Sequence, residues 1–96
     1  MSRVTEDEVA KAVETVLKGR TSGRATIKEL VAEIPKHLKL SADDLKQSET
    51  RPNEALWEQQ VRNITSHKLS PGNAIYEGKL VAIPGGFALH GKEEAA

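Results

Sequence analysis

Cysteine is absent from this sequence, aromatic residues make up only 3% of it, and its formal net charge is zero. Each of these excludes something. Without thiols, neither a disulfide framework nor a thiolate metal site can hold the fold, and a reducing cytoplasm is the expected compartment. Balanced charge argues against a strongly basic nucleic-acid arm. No apolar run approaches the length of a membrane span, and the start of the chain is acidic and amphipathic with no signal-type apolar segment. The sequence therefore reads as soluble, untargeted and off the membrane. Packing must do the holding. A chain of 96 residues suits one domain with one core and marginal stability, spanning residues 1–92 with 93–96 as a frayed tail.

Charge is unevenly spread along the chain. Lys18, Arg20, Arg24, Lys28, Lys36 and Lys39 are opposed in their segment only by Glu29 and Glu33, whereas Asp43, Asp44, Glu49, Glu54 and Glu58 outweigh Lys46 and Arg51 in the next. Mixed charge is ordinary on a solvated surface, but a basic segment beside an acidic one would give the molecule a sidedness.

Helix signals recur. "VTEDEVAKAVETVLKG" predicts a first helix with Thr5 as N-cap, Glu8 closing a capping box, Val4 and Val9 as a hydrophobic staple, and Gly19 as a stop. Val9, Val13, Val16 and Leu17 form its apolar face. "GRTSGR" is a loop by composition. "ATIKELVAEIP" repeats the grammar with Thr26 and Glu29, turning Ile27, Leu30, Val31 and Ile34 inward until Pro35 ends the run. "SADDL" offers a weaker start at Ser41, with Asp44 in place of the usual Glu, and only a brief turn is expected there. Residues 46–52 read as a loop.

A third helix is expected over 53–67, in "NEALWEQQVRNITSHKL". Stepping about 100° per residue from Trp57 puts Val61 near 40° and Ile64 near −20°, so these three form a core stripe. Trp57 alone could be a stacking platform for bases; at this spacing it reads as core. Gln59, Arg62, Asn63 and Ser66 fall on the opposite side, facing water or a partner. After the breakers Pro71, Gly72 and Asn73, "GKLVAIPGGFALHGK" predicts a β-hairpin turning at Pro84, Gly85 and Gly86, docked through Leu80, Val81, Ile83, Phe87 and Leu89.

Three helices followed by a C-terminal hairpin is the element order of an α+β winged helix-turn-helix, in which the third helix enters a DNA groove and the hairpin flanks it as a wing. "TIKELVAEI", "LSADDL", "RPNEALWEQQVRNITSHKL" and "GGFALHGK" together resemble, in order and spacing, the N-terminal winged-helix domain of Mrr-type restriction proteins. The resemblance covers roughly residues 24 to 92. Arg51, Asn53, Trp57, Val61, Leu69, Phe87, Leu89 and Gly91 match its pattern. The stretch from Ser70 to Gly78 is longer and more polar than the usual connection, and His90 stands where threonine is commoner. With no counterpart of that family's nuclease domain, the resemblance implies DNA recognition without cleavage. Winged helices also serve as protein-binding modules.

Other motifs fall away. Gly86, Gly91 and Lys92 have phosphate-loop spacing, but Glu93 occupies the magnesium-holding Ser/Thr position and no helix follows. Glu77 and Lys79 make half of a nuclease-like pair without a second carboxylate. His37, His67 and His90 are too scattered for zinc. The sequon at Asn63 sits mid-helix. No cofactor, metal or catalytic residue is expected.

What is left is the polar row. Arginine can bind guanine bidentately and an amide can do the same with adenine. The expectation is a non-enzymatic domain that binds double-stranded DNA through Gln59, Arg62, Asn63 and Ser66, supported by Arg51, Asn53, Lys28, Arg24 and Lys79. The alternative is an adaptor docking on a separately encoded protein partner. Sequence preference and oligomeric state stay open.

Overall fold

Two threonines start the first two helices. In the computed structural model, which describes residues 3–49 and 52–92, the Thr5 hydroxyl accepts the Glu8 amide at 3.1 Å and Glu8 accepts the Thr5 amide at 2.9 Å. This opens helix α1 (Glu6–Lys18), which Gly19 caps. Thr26 and Glu29 repeat the reciprocal pair at the same distances and open α2 (Ile27–Glu33). Such boxes satisfy amides that a first helical turn leaves without acceptors. Pro35 does not end the winding as expected but sits in a 3₁₀ turn, Ile34–Lys36, because the first positions of a turn need no proline N–H.

The third helix is shorter than its sequence pattern suggests: α3 spans Leu56–Ser66, not 53–67. Asn53 stands at φ 64°, in the left-handed region that a right-handed helix excludes. The chain around it runs extended instead, with a bridge between Gln47 and Ala55 and the Ser48 amide donating to the Glu54 carbonyl at 2.7 Å. The Glu58 carboxylate then accepts the Ala55 amide at 2.8 Å to start the helix.

The hairpin forms from β2 (Leu80–Ile83) and β3 (Gly86–Leu89), but it is not alone. Part of the expected loop "GRTSGR" begins a third strand, β1 (Arg24–Thr26). The antiparallel sheet has the order β1-β3-β2. A three-residue strand carries no periodic signal of its own; its pairing partner defines it. The free edge of β1 is closed locally, since Ser22 Oγ takes the Arg24 amide at 3.3 Å and Glu29 takes the Thr26 amide at 2.9 Å. Gly86 is corrected accordingly. The turn is Pro84 and Gly85, with Gly85 at φ 72°, while Gly86 belongs to the central strand opposite Thr26 and Ile83.

Helices and sheet enclose one apolar cluster in which Val9, Val13, Leu17, Leu30, Ile34, Val61, Ile64, Leu80 and Phe87 are fully buried and Trp57 nearly so. Ile27, Val31 and Leu89 pack against it half-buried. No helix among the described residues is long and apolar enough to cross a membrane.

"SADDL" forms a turn with a use the sequence did not show. Asp44 is buried, and its carboxylate accepts the Val4 amide at 2.9 Å, the Ser41 amide at 2.8 Å and the Ser41 hydroxyl at 3.0 Å. Its own carbonyl accepts the Trp57 amide at 3.1 Å. Burial alone would raise its pKa, but the Ser41 and Val4 amides and the Ser41 hydroxyl outweigh it and hold the carboxyl below the ordinary range. A depressed folded-state pKa gives stability that is present above the unfolded value and lost as pH falls through the folded one. Asp44→Asn should therefore cost about 1 to 3 kcal/mol at neutral pH. The gap to wild type should close below about pH 4, as read from urea melts across a pH series; a gap constant down to acid would show that the charge is irrelevant.

Candidate functional site

α3 has two sides, as its sequence requires. Trp57, Val61 and Ile64 are buried against the core, where α1 and α2 pack on the helix. On the other side Ser66 is exposed, and Gln59, Arg62 and Asn63 are half-buried. Their separations of three and four residues place them along one face.

That face is more internally bonded than a bare polar row. The Nε of Arg62 donates to both oxygens of Glu54, at 3.1 and 3.0 Å, and the Glu54 side chain is only 15% exposed. Nothing in the spacing of these two residues announced the pair, because Glu54 lies before the helix rather than one turn along it. Asn63 Nδ2 reaches Gln60 Oε1 at 3.4 Å, and Gln60 Nε2 reaches the Val4 carbonyl at 3.4 Å. Gln59 lines a cleft of about 410 Å³ at the start of the helix with Arg3, Lys46, Gln47, Glu49 and Leu56.

The supporting residues do not all gather here. Asn53 is exposed in the turn ahead of α3, and Arg51 lies outside the described residues. Arg24 is on β1 and Lys28 is exposed on α2. Lys79 precedes β2 and lines a groove with Asp7, Lys11 and Glu14 of α1, among carboxylates rather than beside the polar row. The basic segment is also partly neutralised: Lys18 pairs with Glu14 at 3.3 Å, Arg20 with Glu29 at 3.3 Å and Lys36 with Glu33 at 2.7 Å. Exposed pairs of this kind are worth little in stability, yet they lower the local field. Leu69, matched to the family pattern by sequence, is 82% exposed and so is not a core residue.

A second polar cluster ties the end of α3 to the start of α1. Asn73, which by sequence is only a helix breaker, is buried; it donates to the Ile64 carbonyl at 2.9 Å and to Glu6 at 3.2 Å, and accepts the Ile75 amide at 2.8 Å. His67 Nδ1 lies 2.6 Å from Glu6 Oε1. Every one of these bonds links backbone or neighbouring helix ends, which makes the cluster a clasp. Among the described residues no three His, Cys, Asp or Glu side chains are grouped to hold a metal ion. Comparison of the chain with protein-family models, curated proteins and solved structures gives no match.

Proposed function

We propose that this protein is a non-catalytic winged helix that binds double-stranded DNA, with α3 as the reading helix and the β2–β3 hairpin as its wing. Support for the winged-helix part comes from the order α1, β1, α2, α3, β2, β3, with β1 laid against β3 beside the hairpin. Without β1, which has no local sequence signal, that order would be one strand short.

The DNA reading rests on one observation above all, the bracing of Arg62. Glu54 engages the guanidinium through Nε alone, leaving uncommitted the terminal amino groups that match guanine O6 and N7. A base-reading arginine must be held in place before it meets its base, and a fixed, partly buried carboxylate does that. The flanking amides of Gln59 and Asn63 supply the adenine-reading chemistry on the same face.

Arg62→Ala should weaken duplex binding at low salt by about 1 to 3 kcal/mol if Arg62 reads a base, and by a smaller, sequence-independent amount if it grips phosphate. Fluorescence anisotropy against a mixed duplex pool with methylated and unmethylated members measures both. The fold should be retained, because the side chain is outside the core, with some loss of stability because Glu54 is left without its partner. The competing reading is a dock on a separately encoded protein partner, favoured by Leu69 and by Tyr76, which is 53% exposed. Salt separates the two, since phosphate contacts release counterions and an apolar dock does not. Unchanged low-salt binding by Arg62→Ala, or none by wild type, would leave the protein dock as the better account.

A further inference from the structure

The outer face of the sheet carries a cation that pairs with no carboxylate among the described residues. Arg24 pairs in register with Ala88 on β3 and is adjacent to core-facing Ala25, so its side chain projects to the opposite face. Its Nε is buried with no hydrogen-bond partner. The other half-buried arginines are each held by a carboxylate, Arg20 by Glu29 at 3.3 Å and Arg62 by Glu54 at 3.0 Å. Arg24 has no ion pair among the described residues.

A buried donor without an acceptor is costly to leave so, and any acceptor that reaches it recovers that cost. Arg24 lines a cleft of about 290 Å³ together with Arg20, Ser22, Thr26, Glu29 and the turn residue Pro84. Glu29, the one carboxylate among its described lining residues, is already committed: it accepts the Thr26 amide at 2.9 Å and pairs with Arg20. The Thr26 amide, the Thr26 side chain and Arg20 hold its carboxyl below the ordinary range, so it stays ionised, and its single negative charge is matched by Arg20. Among the described residues of the cleft one positive charge is left over. Swinging the Arg24 side chain toward an anion breaks no hydrogen bond at Nε, because it makes none.

We propose that this cleft binds a phosphate group, gripped by the Arg24 guanidinium, and that its occupant in the bound protein is a phosphodiester of the DNA backbone. The first half stands on the cleft alone; the second rests on the DNA reading above. A planar guanidinium presents a fork of N–H donors that suits a tetrahedral oxyanion.

The test has two arms. Inorganic phosphate is titrated into the full chain at constant ionic strength while amide shifts are followed for wild type, Arg24→Gln and Arg24→Lys. Wild type should show saturable shifts over residues 22–26 and 83–86, Arg24→Gln should lose them, and Arg24→Lys should keep them in weakened form. In the second arm, Arg24→Gln should weaken duplex binding by about three- to tenfold and reduce the salt slope by about one phosphate contact. If Arg24→Gln melts far below wild type, Arg24→Lys carries both arms. No saturable shift in wild type overturns the phosphate site, whatever the duplex does. Arg24-dependent phosphate binding without any duplex binding keeps the site, assigns it to a free phosphate or phosphorylated small molecule, and sinks the DNA reading. Duplex binding that is equal in wild type and Arg24→Gln overturns the phosphodiester as occupant.

Discussion

Trp57→Ala is expected to lose about 3 to 5 kcal/mol of folding stability, a large share of what a domain of this size has. Trp57 is the only tryptophan of the chain and only 4% of its surface is exposed. It sits at the start of α3, where its amide donates to the Asp44 carbonyl at 3.1 Å, so the ring and the backbone fix the helix in the same place. With Val61 and Ile64 it makes the stripe through which α3 packs on the core. Truncation removes the transfer energy of the ring and leaves a cavity that three short helices and a small sheet cannot close. Trp57→Phe keeps a ring in the slot and should lose clearly less. Urea denaturation measures both; an alanine variant that melts within a few degrees of wild type would mean that α3 is held by something other than its tryptophan.

Gly86→Ala is expected to cost upwards of about 3 kcal/mol, more than an ordinary overpacked site, because the obstruction is backbone. A Cβ at Gly86 would lie 2.1 Å from the Ala25 carbonyl oxygen and 2.8 Å from the Thr26 Cα. Neither atom is the end of a flexible side chain. Relief requires β1 to leave β3, and the last residue of β1, Thr26, is the N-cap of α2. Gly85→Ala makes the contrast: its Cβ meets open space, and only the positive φ penalises it, by about 1 to 2 kcal/mol. Thermal melting gives the order of the two variants. Amide exchange locates the damage, since Gly86→Ala should unprotect Ile27 and Leu89, whose amides donate to Gly85 and Gly23 across the β1–β3 pair. If Gly85→Ala proves the worse variant, β3 does not lie against β1 and the strand order is wrong.

How much of this was legible depended on whether a feature is local. The capping boxes at Thr5 and Thr26 were, because donor and acceptor are three residues apart. So was the stripe of Trp57, Val61 and Ile64, which follows from helical spacing alone. β1 was not, since its strand character comes from β3, 60 or more residues away. Gly86 looked like its neighbour Gly85 for the same reason: one glycine serves a turn, the other a close approach of strands distant in sequence. At the site, sequence placed Gln59, Arg62, Asn63 and Ser66 on one face, and the face is there. It did not supply Glu54 as the brace of Arg62, nor show that Lys79 stands among the carboxylates of α1. Asp44 could be read only as half of a capping box with Ser41; its bond to Val4, 40 residues away, needed the fold.

The central claim is that the outer face of α3 meets a DNA duplex. Its most direct test is an amide and side-chain shift map of the wild-type protein against a mixed-sequence duplex, recorded at low salt and again at moderate salt. The account predicts perturbations concentrated on Gln59, Arg62, Asn63 and Ser66, including the Arg62 Nε–H held by Glu54, that fade steeply as salt rises. A duplex that leaves these resonances unmoved, or moves only those around Leu69 and Tyr76, would contradict it.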